Sequence, residues 1–308
     1  MDPSGFDLFQ HIAIPFDKWM TGGIDWLVDN YRDLFQAIKK PIKAVLKAIE
    51  NGMRGTPPTV TIALLAVLAW QVAGRGVAMV TIFAMTFIGL IGAWAPAMTS
   101  LAVLITAVLL AVLFSLPLGI LAAKNDRFWA LLRPLVDFMQ TIPSFVYLVP
   151  IIMLFGIGNV PGVIVTALYA SPPLIRLTNL GIREVRIDLV EAAEAFGSSP
   201  LQVLFKVELP LARPTIMAGL NQTVMLSLAM SVVASMISVA GLGRMVLVGI
   251  GQLDMARASV GGVGIVMLAI VVDRISQGFG RTRRDRAHVA FINVGPIGLV
   301  RRLFGRGI

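Results

Sequence analysis

The chain has 308 residues, of which 57% are hydrophobic and 14% charged, and its formal net charge is +9. An average soluble domain is about 25% charged, so this composition, with a mean hydropathy of +0.84, excludes a soluble globular protein. The chain has no cysteine, and its two histidines, His11 and His288, lie near opposite ends, so a disulfide framework and a Cys/His metal site are also excluded. In so apolar a chain the positive charge bears on membrane orientation, and we expect neither a nucleic-acid partner nor a cofactor held by this chain.

Residues 1–57 are predicted to form an extramembrane segment with an amphipathic helix. The start, Met1 to Gly5, lacks the basic region and apolar core of a signal peptide. Further along, apolar residues recur at helical spacing and lysines take the other face. The apolar set is Leu34, Ile38, Ile42, Val45, Leu46 and Ile49, and the basic set is Lys39, Lys40, Lys43 and Lys47. Such a helix lies in the membrane interface or packs on a partner, and we favour the interface, with membrane lipid as the contact.

Apolar segments follow, each close to the ~20 residues that a helix needs to cross a bilayer. They are predicted at 58–74, 77–95, 98–122, 141–157, 160–178, 213–239 and 258–278. The expected fold is therefore an all-α polytopic membrane protein of about seven transmembrane helices. We expect the transmembrane domain to cover 58–280 and a basic cytoplasmic tail to cover 281–308.

A polar loop at about 183–210 separates two of these segments and is predicted to form two short helices. Gly197 can end the first helix in a left-handed conformation, which glycine adopts without a Cβ clash. Ser199 and Gln202 have the spacing of a capping box for the second helix. Leu209-Pro210 is predicted to end that helix, because proline excludes the preceding residue from the helical region. Two short helices joined in this way form a compact knob that suits docking in a groove.

The segment 213–239 carries small hydroxyl side chains at intervals of four residues, which places them along one stripe of a helix. They are Thr223, Ser227, Ser231 and Ser235. Such residues allow helices to pack closely, and the same stripe could form the wall of a translocation path. The sequence leaves both interpretations open.

Orientation is indicated by the basic residues, because loops rich in arginine and lysine remain in the cytoplasm. With the loop at 183–210 in the cytoplasm, the basic residues after position 58 fall on the cytoplasmic side, with Arg244 and Arg257 as exceptions. Seven spans then place the N-terminus outside and the C-terminus in the cytoplasm. The lysines and arginines of segment 1–57 run against the rule.

Several catalytic patterns are absent from the sequence. No Gly-x-x-x-x-Gly-Lys-Ser/Thr phosphate loop occurs, so we expect this chain not to be an enzyme and to have no ATPase site of its own. No His-Glu-x-x-His, no Gly-x-Ser-x-Gly and no intramembrane cluster of acids occurs either. An intramembrane enzyme therefore has no supporting constellation, and the energy for any transport must come from a partner.

The polar loop resembles the EAA loop that defines the membrane subunits of ABC importers. Its pattern is Glu191-Ala192-Ala193, three residues, Gly197, nine residues, Val207, one residue and Leu209-Pro210, with valine where isoleucine is usual. The resemblance implies the type I permease fold of ABC importers. It also implies that Glu191, Ala192, Ala193 and Gly197 seat in a separate ATPase subunit, which binds the ATP.

Further runs are similar to the permease of the bacterial glycine betaine/proline betaine ABC importer. They are 140–150, 153–162, 214–219, 221–223 and 261–265, within a similarity that extends over nearly the whole chain. The resemblance implies ATP-driven uptake of a quaternary ammonium osmolyte across the inner membrane, with glycine betaine, proline betaine and choline as candidates. The implied partners are the ABC ATPase, an extracytoplasmic substrate-binding protein and a second permease copy in a homodimer. The alternative is an autonomous secondary carrier or channel for a small solute.

Overall fold

Helices form the fold in residues 15–280, the part of the chain that the computed structural model describes, and no β-strand occurs there. They are α1 (Phe16–Gly55), α2 (Pro58–Ala73), α3 (Arg75–Leu90), α4 (Trp94–Lys124), α5 (Asp126–Thr141), α6 (Leu148–Phe155), α7 (Asn159–Arg183), α8 (Ile187–Ala195), α9 (Pro200–Val203), α10 (Leu209–Val233), α11 (Leu242–Gly251) and α12 (Met255–Gly280). Two 3-10 turns, Ser144–Tyr147 and Ala234–Ile237, and a π-helical turn, Leu204–Glu208, complete the set. The all-α prediction is confirmed. The tail predicted at 281–308 lies outside the described residues.

The number of membrane spans differs from the prediction of about seven. Within the described residues, 4 helices are long and apolar enough to cross a membrane alone, or up to 6 spans if each of two bent pairs counts as one. The bent pairs are α1 with α2, at 111°, and α5 with residues 144–155, at 112°. The predicted segments at 58–74, 77–95 and 141–157 are helical but short, because Gly74, at φ +102°, ends α2 and Pro143 precedes the 3-10 turn.

Helix α7 lies at the centre of the bundle, and most of its side chains are buried. It packs closely against both α4 and α10. A Cβ added at Gly119 of α4 would lie 2.6 Å from the Cβ of Thr178, and one added at Gly219 of α10 would lie 3.0 Å from the Cβ of Leu177. Backbones that approach this closely gain van der Waals contact, which is the main attraction between helices in lipid.

The amphipathic helix α1 packs on the bundle with part of its apolar face. Ile42 and Leu46 are buried in one core cluster with residues of α4, α6 and α7, and the ammonium of Lys39 donates to the carbonyl of Phe155 at 2.9 Å. Ile38 and Val45 are exposed. The predicted apolar face is therefore divided: one part contacts the chain's own helices, and the other remains free for lipid or another chain.

Contacts at the two ends of α4 place α1 opposite the polar loop. Thr99, in the first turns of α4, donates to the Glu50 carboxylate of α1 at 2.9 Å. Lys124, the last residue of α4, pairs with Glu208 at 2.5 Å. A helix rises ~1.5 Å per residue, so these two contacts are roughly 37 Å apart along the axis. Helix α1 and the polar loop therefore lie at opposite ends of the bundle.

The close approach of α4 and α7 predicts that Gly119→Ala destabilises the protein. The added methyl group would meet the side chain of Thr178 and the carbonyl of Ile175, both within 2.9 Å, and overpacking costs about 1–3 kcal/mol. Gly262→Ala in α12 is the matched control, because nothing lies within 4 Å of its added Cβ. Thermal unfolding of the detergent-solubilised protein should show a lower midpoint for Gly119→Ala alone; equal midpoints for the two variants would contradict the packing described.

Candidate functional site

Residues Ile187–Glu208, here called the 187–208 element, form two short helices joined at Gly197. Helix α8 ends in a Schellman motif. Gly197 has φ +78°. Its N–H donates to the carbonyl of Glu194 at 2.8 Å, and the N–H of Ser198 donates to the carbonyl of Ala193 at 3.1 Å. The predicted left-handed helix end at Gly197 is confirmed. Open space surrounds the position of a Cβ added there, so the backbone angle alone favours glycine.

The second helix of the element begins with the predicted capping box. The N–H of Gln202 donates to the hydroxyl of Ser199 at 3.4 Å, and the N–H of Ser199 donates to the Gln202 side-chain oxygen at 2.9 Å. Pro200 occupies the first turn of α9, where its missing N–H has no partner to lose. These local bonds set the direction in which the chain leaves Gly197.

Leu209-Pro210 does not end the second helix, so that prediction was wrong. The chain passes from α9 through the π-helical turn 204–208 into α10 as one continuous helical run. The N–H of Leu209 donates to the carbonyl of Leu204, five residues earlier. Pro210 then lies directly after the π-helical turn, at the start of α10, and has no N–H to donate to the preceding turn. The wider turn accommodates the proline that was expected to stop the helix.

The surface of the 187–208 element carries large exposed apolar side chains. Phe196 is 91% exposed, Leu201 68% and Phe205 63%. Of the residues that the sequence singled out, Glu191, Ala192 and Gly197 are also exposed and Ala193 is half-buried. The sequence analysis missed the three large side chains, although bulky apolar residues in an otherwise polar loop are a readable signal. Large exposed apolar side chains that cluster in a polar loop and at the helix end beside it indicate a contact with another protein.

An ion pair at the start of α8 lies on the same exposed surface. The guanidinium of Arg186 donates to both carboxylate oxygens of Asp188, at 3.1 and 2.6 Å. These hydrogen bonds hold the pKa of Asp188 below its ordinary value. The carboxylate in the first turn also interacts favourably with the positive end of the helix dipole.

Charged side chains hold the two ends of the element near the end of α4 and the start of α5. At the entry, Arg183 donates to the backbone carbonyl of Ala122 at 2.8 Å and pairs with Asp126 at 2.7 Å. At the exit, the ammonium of Lys124 contacts both oxygens of Glu208, at 2.6 and 2.5 Å. The sequence analysis did not single out these residues, because their partners are distant in the chain.

The hydroxyl stripe predicted on 213–239 lies mostly inside the chain. Thr223, Ser227 and Ser235 are buried and Ser231 is half-buried. Thr223 donates to the carbonyl of Ala170 in α7 at 2.9 Å. This hydrogen bond across the α7–α10 contact supports the helix-packing interpretation. In residues 15–280, no group of three or more His, Asp or Glu side chains is placed to hold a metal ion.

Comparison with known proteins places this arrangement in a transport family. The family model of binding-protein-dependent transport system inner membrane components matches residues 115–285. The chain is 53% identical over 298 residues to the glycine betaine/proline betaine transport system permease protein ProW of Escherichia coli, covering 97% of this chain and 84% of that protein. It is 39% identical to the glycine betaine transport system permease protein OpuAB of Bacillus subtilis, covering 89% and 98%.

A solved structure shares the fold. A chain of the MetNI methionine ABC transporter in an inward-facing conformation matches with a TM-score of 0.52 at 25% identity, covering 62% of this chain and 93% of that chain. The type I ABC importer permease fold expected from the sequence is confirmed by this match.

Removal of the Ser199 cap is predicted to loosen the start of α9. Loss of an N-cap side chain costs about 1 kcal/mol, so Ser199→Ala should speed amide hydrogen exchange at Gln202 and Val203 by about fivefold. Ser198→Ala is the control, because the neighbouring hydroxyl makes no hydrogen bond within the described residues. Exchange measured by mass spectrometry on the intact solubilised protein tests this; unchanged exchange in Ser199→Ala would show that the cap does not hold α9.

Proposed function

The chain belongs to the family of binding-protein-dependent transport system inner membrane components, and we propose that it is the permease subunit of an ATP-driven importer of a quaternary ammonium osmolyte. Glycine betaine or proline betaine is the proposed solute, with choline as a related candidate. Support comes from the near full-length similarity to the Escherichia coli permease. The energy for transport would come from a separate ATPase subunit, which binds the ATP.

The observation that carries this proposal is the exposed apolar surface of the 187–208 element. Phe196 lies outside the candidate membrane spans, and Leu201 and Phe205 lie in the first two turns of the candidate span Pro200–Ile237, next to the exposed polar end of the bundle. A groove on the ATPase subunit would bury these side chains together with the motif residues Glu191, Ala192, Ala193 and Gly197. The rigid turn at Gly197 sets the angle between α8 and α9, and this angle determines whether the surface fits.

The proposed assembly contains further subunits. Two copies of the permease would enclose the solute path between them, as a homodimer. An extracytoplasmic binding protein would deliver the solute at the end of the bundle that carries α1. The ATPase would act at the other end, roughly 37 Å away along α4. ATP hydrolysis and solute delivery are therefore proposed to occur at opposite ends of the same helices.

The proposed topology places the 187–208 element in the cytoplasm and α1 outside. Support comes from the location of α1 at the opposite end of α4 and from the basic residues near the element, which favour the cytoplasmic side. The domain limits proposed are an extramembrane segment at 1–57, the transmembrane domain at 58–280 and a cytoplasmic tail at 281–308.

Reporter fusions test this topology. Fusions after Lys124 and after Arg186 should report the cytoplasm, and a fusion after Asn159 should report the outside. The expectation follows from the direction of α7: Arg183 at its end contacts Ala122 near Lys124, so Asn159 at its start lies at the other end of the bundle. A cytoplasmic signal after Asn159 would overturn the proposed orientation of α6 and α7.

Substitutions at Gly197 test the coupling function. Gly197→Val should abolish ATP-dependent uptake, because a left-handed conformation costs about 1–2 kcal/mol for a residue with a Cβ and relief of that strain would redirect α9. Gly197→Asn is the matched control, since asparagine adopts this conformation more readily and open space is available for its side chain.

The measurement is glycine betaine uptake by proteoliposomes that contain the permease, its ATPase and the binding protein, with membrane abundance recorded for each variant. Wild-type uptake by Gly197→Val would contradict the coupling role. Loss of Gly197→Val from the membrane would indicate a structural role instead. Uptake by the wild-type permease without any ATPase would favour an autonomous carrier.

A further inference from the structure

Glu208 is a buried acid at the end of the 187–208 element. Its exposed fraction is 5%, and it is the single charged residue among the buried polar residues of the part of the chain described here. It lies in the π-helical turn, directly before α10. π-Helical turns inside longer helices often occur at functional positions.

The ammonium of Lys124 is the counter-charge of this acid. It lies 2.6 Å from one carboxylate oxygen and 2.5 Å from the other. Apart from this contact, the buried Oε2 of Glu208 has no hydrogen-bond partner within residues 15–280. Removal of a carboxylate from water is costly unless it is paired, so the position of Glu208 is tied to that of Lys124. Separation of the two groups would leave the buried carboxylate without its counter-charge, so displacement of one residue favours displacement of the other.

The pair connects the element to a helix that is not its neighbour in sequence. The element continues directly into α10 and follows α7, so the chain itself links it to these two helices. Lys124 instead ends α4, 84 residues before Glu208. Without this pair, displacement of the element would act on α7 and α10 first and reach α4 through side-chain packing and the hydrogen bond from Arg183 of α7 to the carbonyl of Ala122.

We propose that the Lys124–Glu208 ion pair transmits displacement of the 187–208 element to α4, so that Glu208 is a positioning residue for transport. This inference rests on the proposed function, because the displacement comes from the ATPase that docks on the element. The pair suits the task because it is short and its acid is buried, although the Lys124 side chain is 43% exposed. Arg183 contacts the same end of α4 from the entry to the element, but its partner Asp126 has a side chain 88% exposed, and exposed pairs are weak.

Two double variants separate transmission from stability. In Lys124→Met with Glu208→Met the pair is absent but no lone buried charge remains, and such replacements usually preserve the fold. In Lys124→Glu with Glu208→Lys the pair is present with its charges exchanged. Asp126→Asn is the control, because it removes an exposed ion pair at the same end of α4 without touching Glu208.

The experiment measures glycine betaine transported per ATP hydrolysed, in proteoliposomes of the complete complex. The double methionine variant should retain bound ATPase and hydrolysis, while transport per ATP falls by about tenfold, a magnitude typical of coupling between sites. The exchanged pair should remain within about twofold of the wild-type ratio, and so should Asp126→Asn, as expected for an uncoupled site.

Three results would overturn the role of the ion pair, and a fourth would overturn the proposed function. A wild-type ratio in the double methionine variant overturns the proposal, and so does an equal loss in both double variants, since the pair itself would then not matter. Loss of ATPase binding by the double methionine variant also overturns it, because the pair would then shape the docking surface rather than transmit displacement. Failure of the wild-type permease to bind an ATPase is seen before any variant is compared and overturns the proposed function itself.

Discussion

The close packing of α7 between α4 and α10 is the constraint on which the other features of this protein depend. Lipid tails are as apolar as the side chains of the helices, so burial of apolar surface drives their association weakly, and contact distance becomes decisive. Gly119 and Gly219 remove the Cβ atoms that would separate the backbones. Thr223 adds a hydrogen bond to the carbonyl of Ala170 across the contact. These small residues hold three helices in one arrangement.

The 187–208 element takes its position from this packing. It leaves the bundle at the end of α7 and returns at the start of α10, so its two ends are set by helices that already contact each other. Arg183 and Glu208 add contacts to the end of α4. The exposed Phe196, Leu201 and Phe205 are thereby presented on a preorganised support. A partner that binds a preorganised surface loses less free energy to ordering.

Local sequence rules predicted the features that depend on residues close together in the chain. They did not predict the course of the helix at Pro210 or which residues of α1 are buried. The Schellman motif at Gly197 and the capping box of Ser199 and Gln202 involve residues at most five apart, and both were predictable. The rule that a proline ends the preceding helix failed at Pro210, because the π-helical turn before it carries the helix past the proline. On α1 the periodicity revealed the apolar face, but the division between buried Ile42 and exposed Val45 depends on where α4 and α6 lie.

The sequence by itself determined that this is an all-α membrane protein with a polar helix–turn–helix loop, because composition, periodicity and capping each depend on residues close together in the chain. It also carried the motif that identifies the family. Only the tertiary structure decided that Glu208 is buried against Lys124, that the hydroxyl of Thr223 faces α7, and that fewer helices than the predicted seven are long enough to cross a membrane alone. Burial and pairing depend on partners tens of residues away, and no local pattern encodes which partner will be adjacent.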